Sequence, residues 1–190
     1  MTDLTIFNWL SDFEAHLGVM ESTGERISQL TEFGQGFESW LKFEMGMLLT
    51  GAPRRYRPWF GNTPGDVGIE YRAALLEGSS KLIDLWASPR AGATTWHFVE
   101  LKVAFNNYNA GKQFASWRAD FESLRRIDRT VPKQVPESVG SVMFGAGFDG
   151  PRFDELVKKS SELLHTSVTP SWTTAVKLRQ GDLRIAALIE

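Results

Sequence analysis

The chain contains no cysteine. Disulfide frameworks, thiol nucleophiles and zinc–thiolate centres are excluded together. Histidine is nearly as scarce. His16, His97 and His165 lie far apart, and none belongs to the helical histidine pair of a zinc protease. No run approaches the roughly 20 consecutive apolar residues that a membrane span needs. The first residues, "MTDLTIFNWLSDFEAHLGVM", are acidic and amphipathic, where a signal peptide begins basic and turns apolar. A soluble, cytoplasmic protein is expected. Neither sign of charge dominates: 21 Lys and Arg stand against 23 Asp and Glu. That removes the global basic field of a histone-like binder, so a polyanionic partner has to be met by a local patch.

The 190 residues are 42% hydrophobic, enough for one full core and too few for a second, so residues 1–190 are expected to form a single domain. Ile6, Leu10, Phe13 and Leu17 recur at three- and four-residue intervals and predict an amphipathic helix. Phe37, Leu41 and Leu48 predict a second over about 36 to 49, ended by "TGAP". After the loop "GAPRRYRPWFGNTPGD" come three strand-like runs, "DVGIEYRAALL", "KLIDLWA" and "TTWHFVELKVAF". The short turns between them predict an antiparallel meander. "AGKQFASWRADFESLRRI" returns to helical period, with Phe114, Trp117, Phe121 and Leu124 in register. "SVGSVMFGAGF" reads as a strand, "PRFDELVKKSSELLH" as a helix with Pro151 in its first turn, and "AVKLRQGDLRIAALI" as a closing hairpin.

Charges interrupt two of these strands. In "WHFVELKV", Trp96, Phe98, Glu100, Lys102 and Ala104 share one face, and His97, Val99, Leu101, Val103 and Phe105 the other. Both faces are largely apolar, the pattern of an interior strand, where an unpaired charge is costly. Asp84 repeats the oddity in the strand before, between Leu82 and Trp86. If these strands pair, Asp84 and Glu100 meet. The least costly way to keep both ionised is a divalent cation between them. Positions 37, 41, 44 and 48 follow helical spacing, so Glu44 is expected on the buried stripe of the second helix, reaching the same point. Glu38 lies elsewhere on that helix and is the weaker choice. Glu70, on the first strand, is a fourth acid.

A glutamate on an early helix, Asp84 in "LIDLWA", and Glu100-Leu101-Lys102 in "FVELKVA" followed at once by a helix, resemble the PD-(D/E)XK nuclease superfamily over about residues 36 to 147. Ile83 stands where the motif has proline. The resemblance implies an α/β fold with a restriction-endonuclease-like core, α-β-β-β-α-β, whose mixed central sheet is flanked by helices. An N-terminal helix and a C-terminal helix plus hairpin would extend it. The resemblance further implies Mg²⁺, with Mn²⁺ as substitute, held by Asp84, Glu100 and the backbone carbonyl of Leu101. Lys102 would lie beside the attacking water and the attacked phosphate, with Gln113 or Lys112 in support. Glu44, Asp84, Glu100, Lys102 and Gln113 are thus the candidate catalytic residues, and phosphodiester hydrolysis in DNA the expected reaction.

Arg54, Arg55 and Arg57 in "PRRYRP", with Lys112 and Arg118, are candidate phosphate-facing cations, interleaved with Tyr56 and Trp59. No target-recognition domain fits within this length. Sequence specificity would have to come from the Arg-rich loop, the hairpin, a homodimer or an accessory subunit. The alternative is an inactive member of the same fold that binds nucleic acid or protein. Blander readings exist for single features. Glu100 and Lys102 alone read as a surface ion pair, and His97 as a satisfied core histidine. Gly145, Gly147 and Gly150 match GxGxxG, but Pro170 stands about where the ribose-binding acid belongs, so a tight strand-to-helix turn is expected instead.

Overall fold

The computed structural model describes residues 6–22, 27–32, 36–49, 67–87, 95–131, 135–164, 172–178 and 181–190. In chain order the elements are α1 (Ile6–Ser22), α2 (Ile27–Glu32), α3 (Phe37–Leu49), β1 (Val67–Ala74), β2 (Ser80–Ala87), β3 (Thr95–Phe105), α4 (Ala110–Leu124), β4 (Val135–Ala146), α5 (Gly150–Glu162), β5 (Trp172–Leu178) and β6 (Gly181–Ile189). The strands form one sheet in the order β1-β2-β3-β4-β6-β5. β1, β2 and β3 make the expected antiparallel meander. β3 and β4 run parallel, joined through α4, and β6 and β5 return antiparallel. The fold is a mixed α/β sandwich around a six-stranded mixed sheet. No described helix is long and apolar enough to cross a membrane.

Helical spacing decides which faces are covered. Ile6, Leu10, Phe13 and Leu17 of α1 are buried with Phe37 and Leu41 of α3 against Val99, Leu101 and Val103 of β3. On the opposite face, Phe114, Trp117, Phe121 and Leu124 of α4 pack with α5 against Phe98 and Ala104. Each such burial stabilises by about 1.5–3 kcal/mol. Trp117 Nε1 also donates to the Ser141 carbonyl at 2.8 Å, fixing α4 on β4. The alternation along β3 therefore holds as the sequence predicts. His97 is a core histidine: it is buried, its Nδ1 lies 2.6 Å from Ser138 Oγ, and burial pulls its pKa down. Pro136 in β4 lies beyond the last β6 pair, at Gly140, so its missing N–H interrupts no bond on that side.

The glycine motif is structural. A Cβ at Gly145 would come within 2.3 Å of the buried Phe153 ring, so glycine there admits α5. Gly147 takes φ +73° at the turn, and Asp149 caps α5 by accepting the Arg152 N–H at 2.8 Å.

Three expectations change. The six-residue α2 is too short to show a period in sequence. The buried stripe of α3 is Phe37, Leu41, Met45 and Leu48, with Met45 in the place expected for Glu44. The alternation of β1 and β2 breaks: Ile69 and Leu85 pack toward the α1–α3 face, whereas Tyr71 and Ile83 pack toward α4. Between them stand Glu70 and, opposite it, Asp84. Glu70 has φ +61°, the one positive value at a non-glycine residue among those described. The hairpin turns over at that point, and β2 then leaves β3: their pairing covers Leu85 to Ala87 against His97 to Val99.

Candidate active site

The parting of β2 from β3 leaves the β2-facing edge of β3 bare from Leu101 to Phe105. Backbone donors without a partner are costly, and all three on this edge find side-chain acceptors. Leu101 N–H donates to Asp84 Oδ2 at 2.9 Å, Val103 N–H to Glu38 Oε2 at 3.2 Å, and Phe105 N–H to Gln113 Oε1 at 3.2 Å. In a strand, N–H and C=O of one residue point the same way, so the Leu101 carbonyl opens into the same gap.

Around the gap, three lysines face five carboxylates. Lys42 Nζ lies 2.7 Å from Asp84 Oδ1 and 3.6 Å from Glu70 Oε1. Lys81 Nζ lies 2.7 Å from Asp120 Oδ1 and 3.3 Å from Glu100 Oε1. Lys102 Nζ lies 3.3 Å from Asp120 Oδ2. Glu100 is the most enclosed of these groups, with its side chain 5% exposed. Its Oε1 makes no hydrogen bond despite the nearby Lys81, because the contact is a charge approach without bonding geometry. Burial, then the Asp84 charge, push the Glu100 carboxyl up to about 9 against the pull of Lys81. Burial likewise raises Glu38, opposed by Lys102 and the Val103 N–H. Burial disfavours the Lys102 ammonium, but Glu38, Asp120 and Asp84 outweigh it and hold its pKa above the usual lysine value.

Asp84, Glu100, Leu101 and Lys102 thus stand around one part of the gap, and Gln113 meets the same β3 edge farther along, at Phe105. Glu44 does neither: it lies on the flank of α3 that faces α1, with Oε2 3.3 Å from His16 Nε2. One helical step separates it from the buried seam, and Glu38, a turn and a half earlier, reaches β3 instead. Lys112 is exposed beside Gln113, Arg118 is half-buried on α4, and Arg54, Arg55 and Arg57 lie outside the described residues. Lys42, Lys81 and Asp120 are members that the sequence reading missed. Their signal was spacing: Lys42 stands four residues after Glu38, and Asp120 seven after Gln113, each on the flank of a buried stripe. Among the described residues no three Asp, Glu or His side chains converge on one point. The Asp84 charge nevertheless reaches the buried Glu100 and opposes its ionisation.

No family model, curated protein or solved structure matches the chain. A cleft of about 760 Å³ lies elsewhere, between α1 and β5, at the far side of the sheet. Glu14, Glu21 and a single lysine, Lys177, line it, a balance that gives a polyanion no purchase.

Proposed function

We propose that the chain is a divalent-metal-dependent nuclease of PD-(D/E)XK type that hydrolyses phosphodiester bonds in DNA. The observation that carries this reading is the gap between β2 and β3, where Asp84 accepts the Leu101 N–H and opposes the charge of the buried Glu100, with Lys102 on the same strand face as Glu100. The order α3, β1, β2, β3, α4, β4, with β3 parallel to β4, supports the same reading.

The residues suit a hard cation. The Asp84 charge opposes ionisation of the buried Glu100, and one oxygen of Glu100 makes no hydrogen bond. Asp84, Glu100 and the Leu101 carbonyl are the oxygens that would hold Mg²⁺, or Mn²⁺ in its place. Such an ion, when bound, supplies Lewis-acid polarisation of the phosphate and an activated water. Lys102 remains protonated, so its part is to hold that water and offset charge growing on the phosphate oxygens, rather than to remove a proton. Glu38 and Gln113 keep the β3 edge closed, which fixes Leu101 and Lys102 in place. Lys112 and Arg118 are the described cations nearest this end of α4 in sequence and would meet the DNA backbone.

The test is cleavage of supercoiled plasmid, linear duplex and single strands with Mg²⁺, Mn²⁺ or EDTA. Wild type should nick or cut in metal alone. Asp84→Ala and Lys102→Ala should each lower the rate by at least about a hundredfold while keeping the wild-type circular dichroism spectrum. Folded wild-type protein inert on every substrate would sink the assignment. A second reading, an inactive binding module of the same fold, is favoured by one observation: Lys42 already pairs with Asp84, and Lys81 with Asp120 beside Glu100. It predicts a melting temperature indifferent to Mg²⁺, whereas a formed site raises it with ion concentration.

A further inference from the structure

The two lysines on the metal-facing carboxylates are not held alike. Lys81 is clamped between Glu100 and Asp120, the latter at 2.7 Å. Lys42 is anchored once, by its 2.7 Å contact to Asp84, and has a looser second partner in Glu70 at 3.6 Å. Glu70 is unusual in its own right. It interrupts the β1–β2 ladder opposite Asp84, in a left-handed conformation that strand residues rarely adopt, and its side chain is 56% exposed. A non-glycine residue held there is an outlier that asks for a reason.

We propose that Lys42 is the resident counter-ion of Asp84, which a divalent cation has to displace, and that Glu70 receives its ammonium when it moves. The inference rests on the nuclease reading of the site. Mg²⁺ requires close, near-octahedral oxygen contacts at about 2.0–2.1 Å. An ammonium at hydrogen-bond distance from the same carboxylate repels it. Leu41 and Met45 bury the neighbouring face of α3, so the Lys42 backbone stays in place and only its flexible four-carbon stem can move. Glu70 is the other carboxylate already beside its ammonium, at 3.6 Å. Lys42 therefore sets the affinity of the site for metal, and Glu70 tempers the competition by giving the ammonium a second resting place.

Mn²⁺ binding, followed by calorimetry, tests this in wild type, Lys42→Met, Glu70→Gln and the double variant. Lys42→Met keeps the apolar stem and should bind Mn²⁺ roughly 10- to 30-fold more tightly, the effect of removing a unit charge a few ångströms from a divalent ion in a wet site. Glu70→Gln should bind a few-fold more weakly, and that loss should vanish in the Lys42→Met background. Lys42→Arg, which grips a carboxylate with two donors, should also weaken binding and provides the contrast if Lys42→Met folds poorly. Equal affinities in wild type and the Lys42 variants would overturn the counter-ion role and leave the metal site standing. A Glu70→Gln loss of the same size in both backgrounds would overturn its role as receiver. Absence of Mn²⁺ binding in every folded variant would overturn the inference and the nuclease reading together.

Discussion

Glu100 is protonated well into the alkaline range because burial and Asp84 oppose its charge more than Lys81 favours it. The folded chain binds this proton more tightly than the unfolded chain. The resulting stability is complete below about 4.5 and is lost as pH rises toward about 9. In EDTA the melting temperature of wild type should therefore fall more steeply across that window than that of Glu100→Gln, which mimics the protonated side chain. Parallel curves would show Glu100 ionised throughout. This residue, with Asp84 and Lys102, was legible in sequence because a charge stands out in an apolar alternation. Glu44 was misplaced because steps of three and four leave two choices after Leu41, and the chain buries Met45. Lys42, Lys81 and Asp120 were hidden because a half-buried lysine or aspartate beside a stripe looks the same in sequence as one on a solvated face.

At the scale of elements, most of the architecture was written in periodicity: α1, α3, α4 and α5 follow their apolar stripes, and β3 its alternation. The reversal of face along β1 and β2 was not, because it depends on a positive φ at a glutamate, where no glycine announces it. Element packing also explains the glycine motif and gives it a test. Phe153 is 1% exposed and holds ring contacts with Phe114 and Phe148, so it cannot retreat from a new methyl group. Gly145→Ala should cost about 1–3 kcal/mol in urea unfolding through the displaced α5. A neutral effect would show that α5 is free to slide on β4.

Across the whole molecule, attachment is uneven. Eleven residue pairs join β3 to β4, whereas three join β2 to β3. The β1–β2 hairpin is thus a wing on a firmer block of β3, β4 and β6, and its amides should exchange with solvent before those of the block. Exchange of both at one common rate would show that the sheet opens only as a unit. The wing carries Asp84 and Glu70, while the block carries Glu100 and Lys102, so the charged cluster spans the seam between them. The three acceptors that close the bare edge of β3 come from β2, α3 and α4. That edge works as a jig, indexing three distant segments of chain against one backbone. A slip of β3 by a single residue turns those amides away and withdraws all three acceptors at once. Misassembled chains then have no weakened form of the cluster but none at all, so misassembly lowers the number of molecules that carry it rather than loosening it in each.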